Sequence, residues 1–208
     1  MTAEYGISEK LRVMKRKRTL QRDRRKKMNI PVASLVGYTN SGKSSLLRVL
    51  SADSTLVAED RLFTTLDTFL RKVYLPSGKN ILVSDTVGFL RDLPPGLVTA
   101  FRTTLEEITG SDFLLVVLDA AAPDLQEIRG VVEQTLEEIG AGEIPRIFVL
   151  NKSDLLLPET RTALEERFRS AGEAAVAVSA LEGTGIPELL SLVDDFLLAR
   201  GGNPPERG

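Results

Sequence analysis

Short apolar runs alternate along the chain with longer segments in which apolar residues recur at helical spacing. The runs predict strands at 31–36, 69–75, 80–85, 113–118, 146–150 and 174–178. The periodic segments predict helices at 43–50, 97–108, 125–139, 160–169 and 187–198. A tight turn at 76–79 makes the second and third strands antiparallel. The pattern therefore predicts an α/β fold, a mostly parallel six-stranded sheet with one antiparallel strand and helices on both faces.

The first predicted strand leads into a loop with two glycines, and a helix follows at once. Residues 37–44 read G-x-x-x-x-G-K-S, the phosphate-binding loop of the P-loop NTPase fold in its strand–loop–helix context. Gly37 and Gly42 allow successive N–H groups to point at one anion, which also meets the N-terminus of the helix. Lys43 supplies charge to the outer phosphates, and the Ser44 hydroxyl is a magnesium ligand. The alternative is a glycine-rich turn that matches by chance.

Further polar motifs follow other predicted strands, at the edge where parallel sheets bind ligands. Asp85-Thr86-Val87-Gly88 offers a carboxylate for magnesium and a glycine N–H that can approach a γ-phosphate. In Asn151-Lys152-Ser153-Asp154 the last carboxylate matches the N1–H and 2-amino donors of guanine, which adenine lacks. Asn151 can brace this loop, the stem of Lys152 can cover the base, and Ser179-Ala180-Leu181 can add a backbone N–H near guanine O6. The order and spacing of these motifs predict a GTP-binding domain.

The net charge of −2 conceals a basic arm on an acidic domain. Residues 1–28 carry 11 Lys and Arg against 3 Asp and Glu, a balance of +8, and the remainder carries 16 against 26, a balance of −10. The arm has few apolar residues and cannot form a core alone, so it is either the solvated end of a longer helix or a surface for RNA phosphates. We divide the chain into a basic helical arm at 1–28, a nucleotide-binding G domain at 29–200 and a disordered tail at 201–208.

Composition narrows the possible chemistry. With 208 residues, 42% of them hydrophobic and 27% charged, the chain is long enough for one globular domain plus the arm. No apolar run approaches the roughly 20 residues of a membrane span, and the basic N-terminus lacks the apolar region of a secretory signal. We therefore expect a cytoplasmic protein without a membrane partner. The chain contains no cysteine and no histidine, so any hydrolysis must proceed without an imidazole.

Several stretches resemble the HflX family of GTPases. They are residues 37–44, 62–67 and 85–94, and the match continues through 97–107. The G-Y-T-N and D-T-V-G-F forms separate this family from most other small GTPases. The resemblance covers residues 11 to about 198 and implies binding of GTP or GDP with Mg²⁺. It also implies association with the large ribosomal subunit and its RNA, in ribosome splitting, rescue or biogenesis, and a larger N-terminal domain of which the arm is the end.

The resemblance also implies roles for individual residues. Catalytic roles fall to Lys43, Thr65 and Gly88, and magnesium binding to Ser44, Thr65 and Asp85. The residues predicted to bind the nucleotide are Gly37, Tyr38, Thr39, Asn40, Ser41, Gly42, Lys43, Ser44, Ser45, Phe63, Thr64, Thr65, Leu66, Asp67, Asp85, Thr86, Val87, Gly88, Asn151, Lys152, Ser153, Asp154, Ser179, Ala180 and Leu181.

One position predicts a low intrinsic rate of hydrolysis. Many GTPases place a glutamine after the D-x-x-G glycine to orient the attacking water, whereas this chain has Phe89, whose side chain cannot bind a water. A backbone group, a cation or a partner must supply the missing element. Asn40 is a candidate ligand for a potassium ion, as in related potassium-dependent GTPases, and the alternative is a hydrogen bond that braces the loop.

The leading hypothesis is a GTP-hydrolysing switch that acts on the large ribosomal subunit, as a monomer and without DNA. The first alternative is a non-catalytic module whose contact with RNA or the ribosome is gated by GTP. The second is an ATPase, which Asp154 disfavours because its carboxylate matches guanine.

Overall fold

The computed structural model describes residues 30–52, 70–85 and 108–200. These residues form one six-stranded sheet in the order β2-β3-β1-β4-β5-β6. Its strands are β1 (Val32–Val36), β2 (Leu70–Tyr74), β3 (Asn80–Asp85), β4 (Phe113–Asp119), β5 (Arg146–Asn151) and β6 (Ala175–Ala177). The α-helices of the described ranges are α1 (Lys43–Ala52), α2 (Leu125–Glu138), α3 (Pro158–Ser170) and α4 (Ile186–Ala199).

The pairing of the strands confirms the predicted fold class. Strand β1 lies parallel to both β3 and β4, and β4, β5 and β6 continue the parallel arrangement. Strand β2 pairs antiparallel with β3, as their tight connection requires. The carboxyl ends of β1, β3, β4 and β5 therefore meet at one edge of the sheet, and the loops that follow them lie side by side.

A hydrophobic core covers each face of the sheet. Alternate residues of β4 divide between the two cores: Phe113, Leu115 and Val117 belong to one, and Leu114, Val116 and Leu118 to the other. Helices α1 and α4 close the first core, and α2 and α3 close the second. Burial on both faces explains why the sequence of β4 is apolar without alternation.

The observed bounds differ from the predicted ones by one or two residues at most ends. Helix α3 begins at Pro158, two residues before the predicted start, because proline fits the first turn of a helix. Helix α1 extends to Ala52, and β6 is shorter than predicted. The predicted arm, the tail and all but the last residue of the helix at 97–108 lie outside the described residues.

A long-range contact connects the turn between β2 and β3 to the last helix. The carboxylate of Asp194 on α4 is 6% exposed and accepts hydrogen bonds from the backbone N–H and the hydroxyl of Ser77, each at 2.8 Å. These two bonds satisfy a buried charge and fix the hairpin to the helix. In the described ranges, no helix is both long and apolar enough to cross a membrane.

Candidate functional site

The loop after β1 requires glycine at two positions. Gly37 has a φ of 151° and Gly42 a φ of 93°. A Cβ atom on Gly37 would lie 2.2 Å from the carbonyl oxygen of Val117, and one on Gly42 would lie 2.2 Å from Nδ2 of Asn151. A side chain at position 37 would therefore collide with β4, and one at position 42 would collide with Asn151. The two glycines let the loop curl tightly against its neighbours.

Lys43 is folded back over this loop. Its ammonium donates to the carbonyl oxygens of Gly37 at 3.0 Å and Tyr38 at 2.7 Å, and the residue is 7% exposed. Burial lowers the pKa of Lys43 from its usual 10.5, and the negative charge of Asp85 partly opposes that shift. A cation that is already desolvated and placed beside a loop of N–H groups is suited to an anionic ligand.

The predicted magnesium ligands Ser44 and Asp85 lie together. The parallel register that pairs Leu35 with Asp85 joins the ends of β1 and β3, and the Ser44 hydroxyl donates to Oδ2 of Asp85 at 2.6 Å. Within the described residues, Oδ1 of Asp85 is buried and has no hydrogen-bond partner. These hard oxygen donors fit Mg²⁺, which proteins commonly hold with one or two carboxylates plus phosphate oxygens. The described ranges contain no cluster of three or more His, Cys, Asp or Glu residues arranged for a metal.

The side chain of Asn151, at the end of β5, joins the phosphate-binding loop after β1 to the loop after β6. The side chain is 2% exposed; Nδ2 donates to the carbonyl of Ser41 at 2.8 Å and Oδ1 accepts from the N–H of Ala180 at 3.0 Å. The N–H of Ser179 donates to Thr184. Of the three amides in 179–181, that of Leu181 alone makes no hydrogen bond within the described ranges. Within the described ranges, the N–H of Leu181 is therefore available to an acceptor on a ligand.

Asp119, at the end of β4, also lies at this site, although the sequence analysis did not predict it as a site residue. Its Oδ2 forms an ion pair with Nζ of Lys152 at 2.6 Å, and its Oδ1 accepts the N–H of Ala121 at 3.0 Å. Lys152 has a φ of 63°, in the left-handed region. The sequence does show a carboxylate directly after the buried strand 113–118, which could have indicated a site residue. The loop that this carboxylate contacts depends on strand order, which the sequence pattern does not show.

Asp154 lies in a 3₁₀ turn (Ser153–Leu155) that follows β5. The N–H of Ser153 donates to the carbonyl of Val178 at 3.0 Å, so the turn is fixed to the chain after β6. Oδ1 of Asp154 is buried without a hydrogen-bond partner in the described part of the chain.

Unpaired buried oxygens are concentrated at this edge of the sheet. Four buried side-chain atoms lack a partner in the described ranges, and three of them belong to Ser41, Asp85 and Asp154. An unpaired buried polar atom is costly, and most such atoms in folded proteins have a partner. Three such atoms at one edge of the sheet are expected where a polar ligand completes the hydrogen bonding.

The remaining predicted residues fall into two groups. Tyr38 is half-buried, and Thr39 and Ser45 are exposed. Asn40 is exposed with a φ of 63°, and its side chain makes no hydrogen bond within the described ranges, so the loop-bracing bond is not found there. The residues at 63–67 and 86–88 lie outside the described residues.

Curated proteins are similar to this chain in sequence. The GTPase HflX of Caldanaerobacter subterraneus subsp. tengcongensis is 46% identical over 189 residues, which are 91% of this chain and 42% of that protein. The GTPase HflX of Akkermansia muciniphila is 44% identical over 196 residues, 94% of this chain and 45% of that protein. The resemblance to HflX is thereby confirmed, and the chain spans less than half the length of these curated relatives.

A solved structure agrees with the sequence comparisons. The crystal structure of a GTP-binding protein from the hyperthermophilic archaeon Sulfolobus solfataricus in complex with GDP has a TM-score of 0.65 and 26% identity. The match covers 94% of this chain and 62% of that one. The family described as 50S ribosome-binding GTPase matches residues 32–152, more than half of the sequence. The chain belongs to the 50S ribosome-binding GTPase family.

Proposed function

We propose that this chain is the GTP-binding and GTP-hydrolysing domain of a molecular switch that associates with the large ribosomal subunit. The observation that carries the proposal is a set of buried oxygens on Ser41, Asp85 and Asp154 that have no partner within the described residues, at the edge of the sheet where the buried Lys43 also lies. A guanine nucleotide with its magnesium ion supplies a positive metal and two N–H donors to the carboxylates, and phosphate oxygens to the cation. Ribosome splitting, rescue or biogenesis is the proposed setting, and residues 29–200 are the proposed extent of the domain.

At the phosphate end, the proposed catalysis depends on charge stabilisation and on positioning of the phosphates. Lys43 neutralises the outer phosphates, and Ser44 and Asp85 would hold Mg²⁺ together with Thr65. The ion, when bound, neutralises charge that develops on the phosphate oxygens. Gly88 offers its N–H to the γ-phosphate. The loop residues Gly37 to Ser45 surround the phosphates, and the residues from the two switch segments proposed to join them are Phe63, Thr64, Leu66, Asp67, Thr86 and Val87.

At the base end, selectivity rests on Asp154. Its carboxylate accepts from guanine N1–H and the 2-amino group, and a base without that pair leaves the carboxylate unsatisfied. Asn151 holds the base loop to the phosphate loop through Ser41. The stem of Lys152 covers the base, and the 179–181 loop faces O6 through the N–H of Leu181.

Hydrolysis by the domain alone is proposed to be slow. The attacking water needs a group that orients it, and Phe89 offers none. A missing orienting group leaves a GTPase several orders of magnitude below its activated rate. Asn40, exposed at the loop, is the proposed ligand of a K⁺ ion, and a ribosomal particle that contains the large subunit is the proposed activator.

The proposed partners follow from charge and family. The arm at 1–28, with its balance of +8, is proposed to contact ribosomal RNA through phosphates, with binding that weakens steeply as salt rises. The family description names ribosome binding, and for this chain the large subunit is the proposed target. We further propose a cytoplasmic location, a monomer, and neither a membrane nor DNA as partner.

The test is competition binding of GTP, ATP and XTP. Asp154→Asn should weaken GTP binding by about a hundredfold or more and favour XTP. The NH₂ group of asparagine would face the 2-amino group of guanine, donor against donor, but would donate to the 2-carbonyl oxygen of xanthine. Asp195→Asn makes the same change on an exposed face of α4 and should bind like the unmodified chain. An unchanged preference for GTP in Asp154→Asn would contradict the assignment.

A non-catalytic, GTP-gated module remains the second candidate, because Phe89 leaves the water without an orienting side chain. Single-turnover hydrolysis separates the two. Release of phosphate faster than by Lys43→Ala, in K⁺ with saturating large subunits, supports the enzyme. Equal rates in all conditions support the module.

A further inference from the structure

We propose that Asp119 is a positioning residue for the guanine base, and that it acts through Lys152. The proposal rests on the proposed function, in which the stem of Lys152 covers the base. Asp119 belongs to none of the sequence motifs of the site. It ends β4, the strand that separates the phosphate loop after β1 from the guanine loop after β5.

The sheet register places Asp119 beside the guanine loop. Asp119 pairs with Asn151 across the parallel β4–β5 ladder, and the N–H of Ala120 donates to the carbonyl of Asn151 at 2.7 Å. The next residue along, Lys152, takes a left-handed φ of 63°. Its ammonium lies 2.6 Å from Oδ2 of Asp119. The anchor and the loop it serves are therefore joined by backbone hydrogen bonds as well as by the ion pair.

Asp119 is itself held in one orientation. Its second oxygen, Oδ1, accepts the N–H of Ala121 at 3.0 Å, the bond of an Asx turn. Both carboxylate oxygens are thus engaged, one by the backbone and one by Lys152. The two side chains are 26% and 27% exposed, so the ion pair is partly sheltered from water.

Anchoring the ammonium prepares the surface on which a base stacks. A free lysine side chain samples many rotamers, and ordering it when the ligand binds costs conformational entropy. With Nζ held by Asp119, the methylene stem is already ordered in the free protein. Such preorganisation raises affinity mainly by slowing dissociation.

Dissociation of a fluorescent GDP analogue from the 208-residue chain tests this role. Asp119→Asn keeps an acceptor for Ala121 and removes the charge. We expect dissociation about fivefold faster, and a KM for GTP raised by a similar factor, the size typical of a partly exposed ion pair. The kcat at saturating GTP should stay unchanged, because Lys152 contacts the base and not the reacting phosphates.

A double-mutant cycle separates positioning from general loss of structure. Lys152→Met keeps an apolar stem and should by itself speed dissociation about fivefold. Asp119→Asn combined with Lys152→Met should give about the same factor, and not the roughly twenty-five-fold product expected of independent residues. As a matched control, Glu133→Gln removes the carboxylate that pairs with Arg129 at 3.0 Å on the surface of α2, and should leave dissociation unchanged.

Two results would overturn the proposal. One is dissociation from Asp119→Asn at the rate of the unmodified chain; the other is multiplicative effects in the double variant. If Asp119→Asn does not fold, Asp119→Ser, whose hydroxyl can still cap Ala121, and the Lys152→Met variant give the same comparison. Failure of the unmodified chain to bind GDP would instead contradict the proposed function on which this inference rests.

Discussion

Replacing Asn151 by alanine should reduce stability and nucleotide affinity together. The buried side chain holds the carbonyl of Ser41 at 2.8 Å and the N–H of Ala180 at 3.0 Å. Alanine removes both bonds and leaves a buried acceptor and a buried donor unpaired, at about 1–1.5 kcal/mol each. We therefore expect the free energy of unfolding to fall by about 2–3 kcal/mol, which corresponds to roughly 4–12 °C in Tm for a domain of this size.

Urea unfolding followed by circular dichroism measures the first effect, and dissociation of a fluorescent GDP analogue measures the second. Dissociation should be faster because the two loops no longer hold each other in place. Gln134→Ala is the matched control. Its side-chain amide also makes a hydrogen bond, to Glu138 at 3.0 Å, but on the exposed surface of α2, so its loss should change the free energy of unfolding by less than about 0.5 kcal/mol.

A change below about 0.5 kcal/mol in Asn151→Ala would refute this reasoning, because the two bonds would then contribute nothing net. Asn151→Asp gives an independent check. The carboxylate keeps an acceptor for Ala180 but faces the carbonyl of Ser41 with an oxygen in place of a donor. Burial favours the neutral acid, which regains the donor, so the loss of stability should shrink as the pH is lowered.

Two further predictions follow from buried charges. Burial lowers the folded-state pKa of Lys43 below 10.5, so between that lowered pKa and 10.5 the unfolded chain binds more protons. The contribution of Lys43 to the free energy of unfolding should rise with pH in this window, and Lys43→Met should remove that slope in urea titrations at several pH values. Ser77→Ala leaves the buried carboxylate of Asp194 with one of its two bonds and should lower the free energy of unfolding by about 1.5–3 kcal/mol, whereas Ser191→Ala, exposed on α4, should not.

Within the described residues, local patterns were sufficient to predict the strands and α-helices of the fold. The continuous apolar run 113–118 predicted a strand buried on both faces, and its side chains do divide between the two cores. The bounds predicted for β3, Asn80–Asp85, agree with those observed, because a turn precedes the strand and a polar motif ends it. Such signals depend only on residues that are close in sequence, so a single sequence contains all of the information they need.

The contacts between elements were harder to predict. Asn151 and Ser41 are 110 residues apart, and Ser77 and Asp194 are 117 apart. The ion pair of Asp119 with Lys152 exists because β4 lies next to β5 in register, and strand order is not encoded in any local pattern. The roles of the motif residues could be predicted from phosphate and guanine chemistry. The contacts that hold these residues in position depend on the tertiary fold and could not.

Asn151 ends β5 and contacts Ser41 in the loop that leaves β1, so it joins that loop to the one that leaves β5. The two strands are separated in the sheet by β4 alone. Adjacent strands lie about 4.8 Å apart, so backbone hydrogen bonding holds the starting points of these loops about 10 Å from each other. A ligand with a base at one end and phosphates at the other can engage both loops, and its second contact then forms at a high effective concentration. Guanosine and pyrophosphate each carry one of these ends and gain no such chelate effect. We therefore expect that the width of one intervening strand favours ligands long enough to contact both loops.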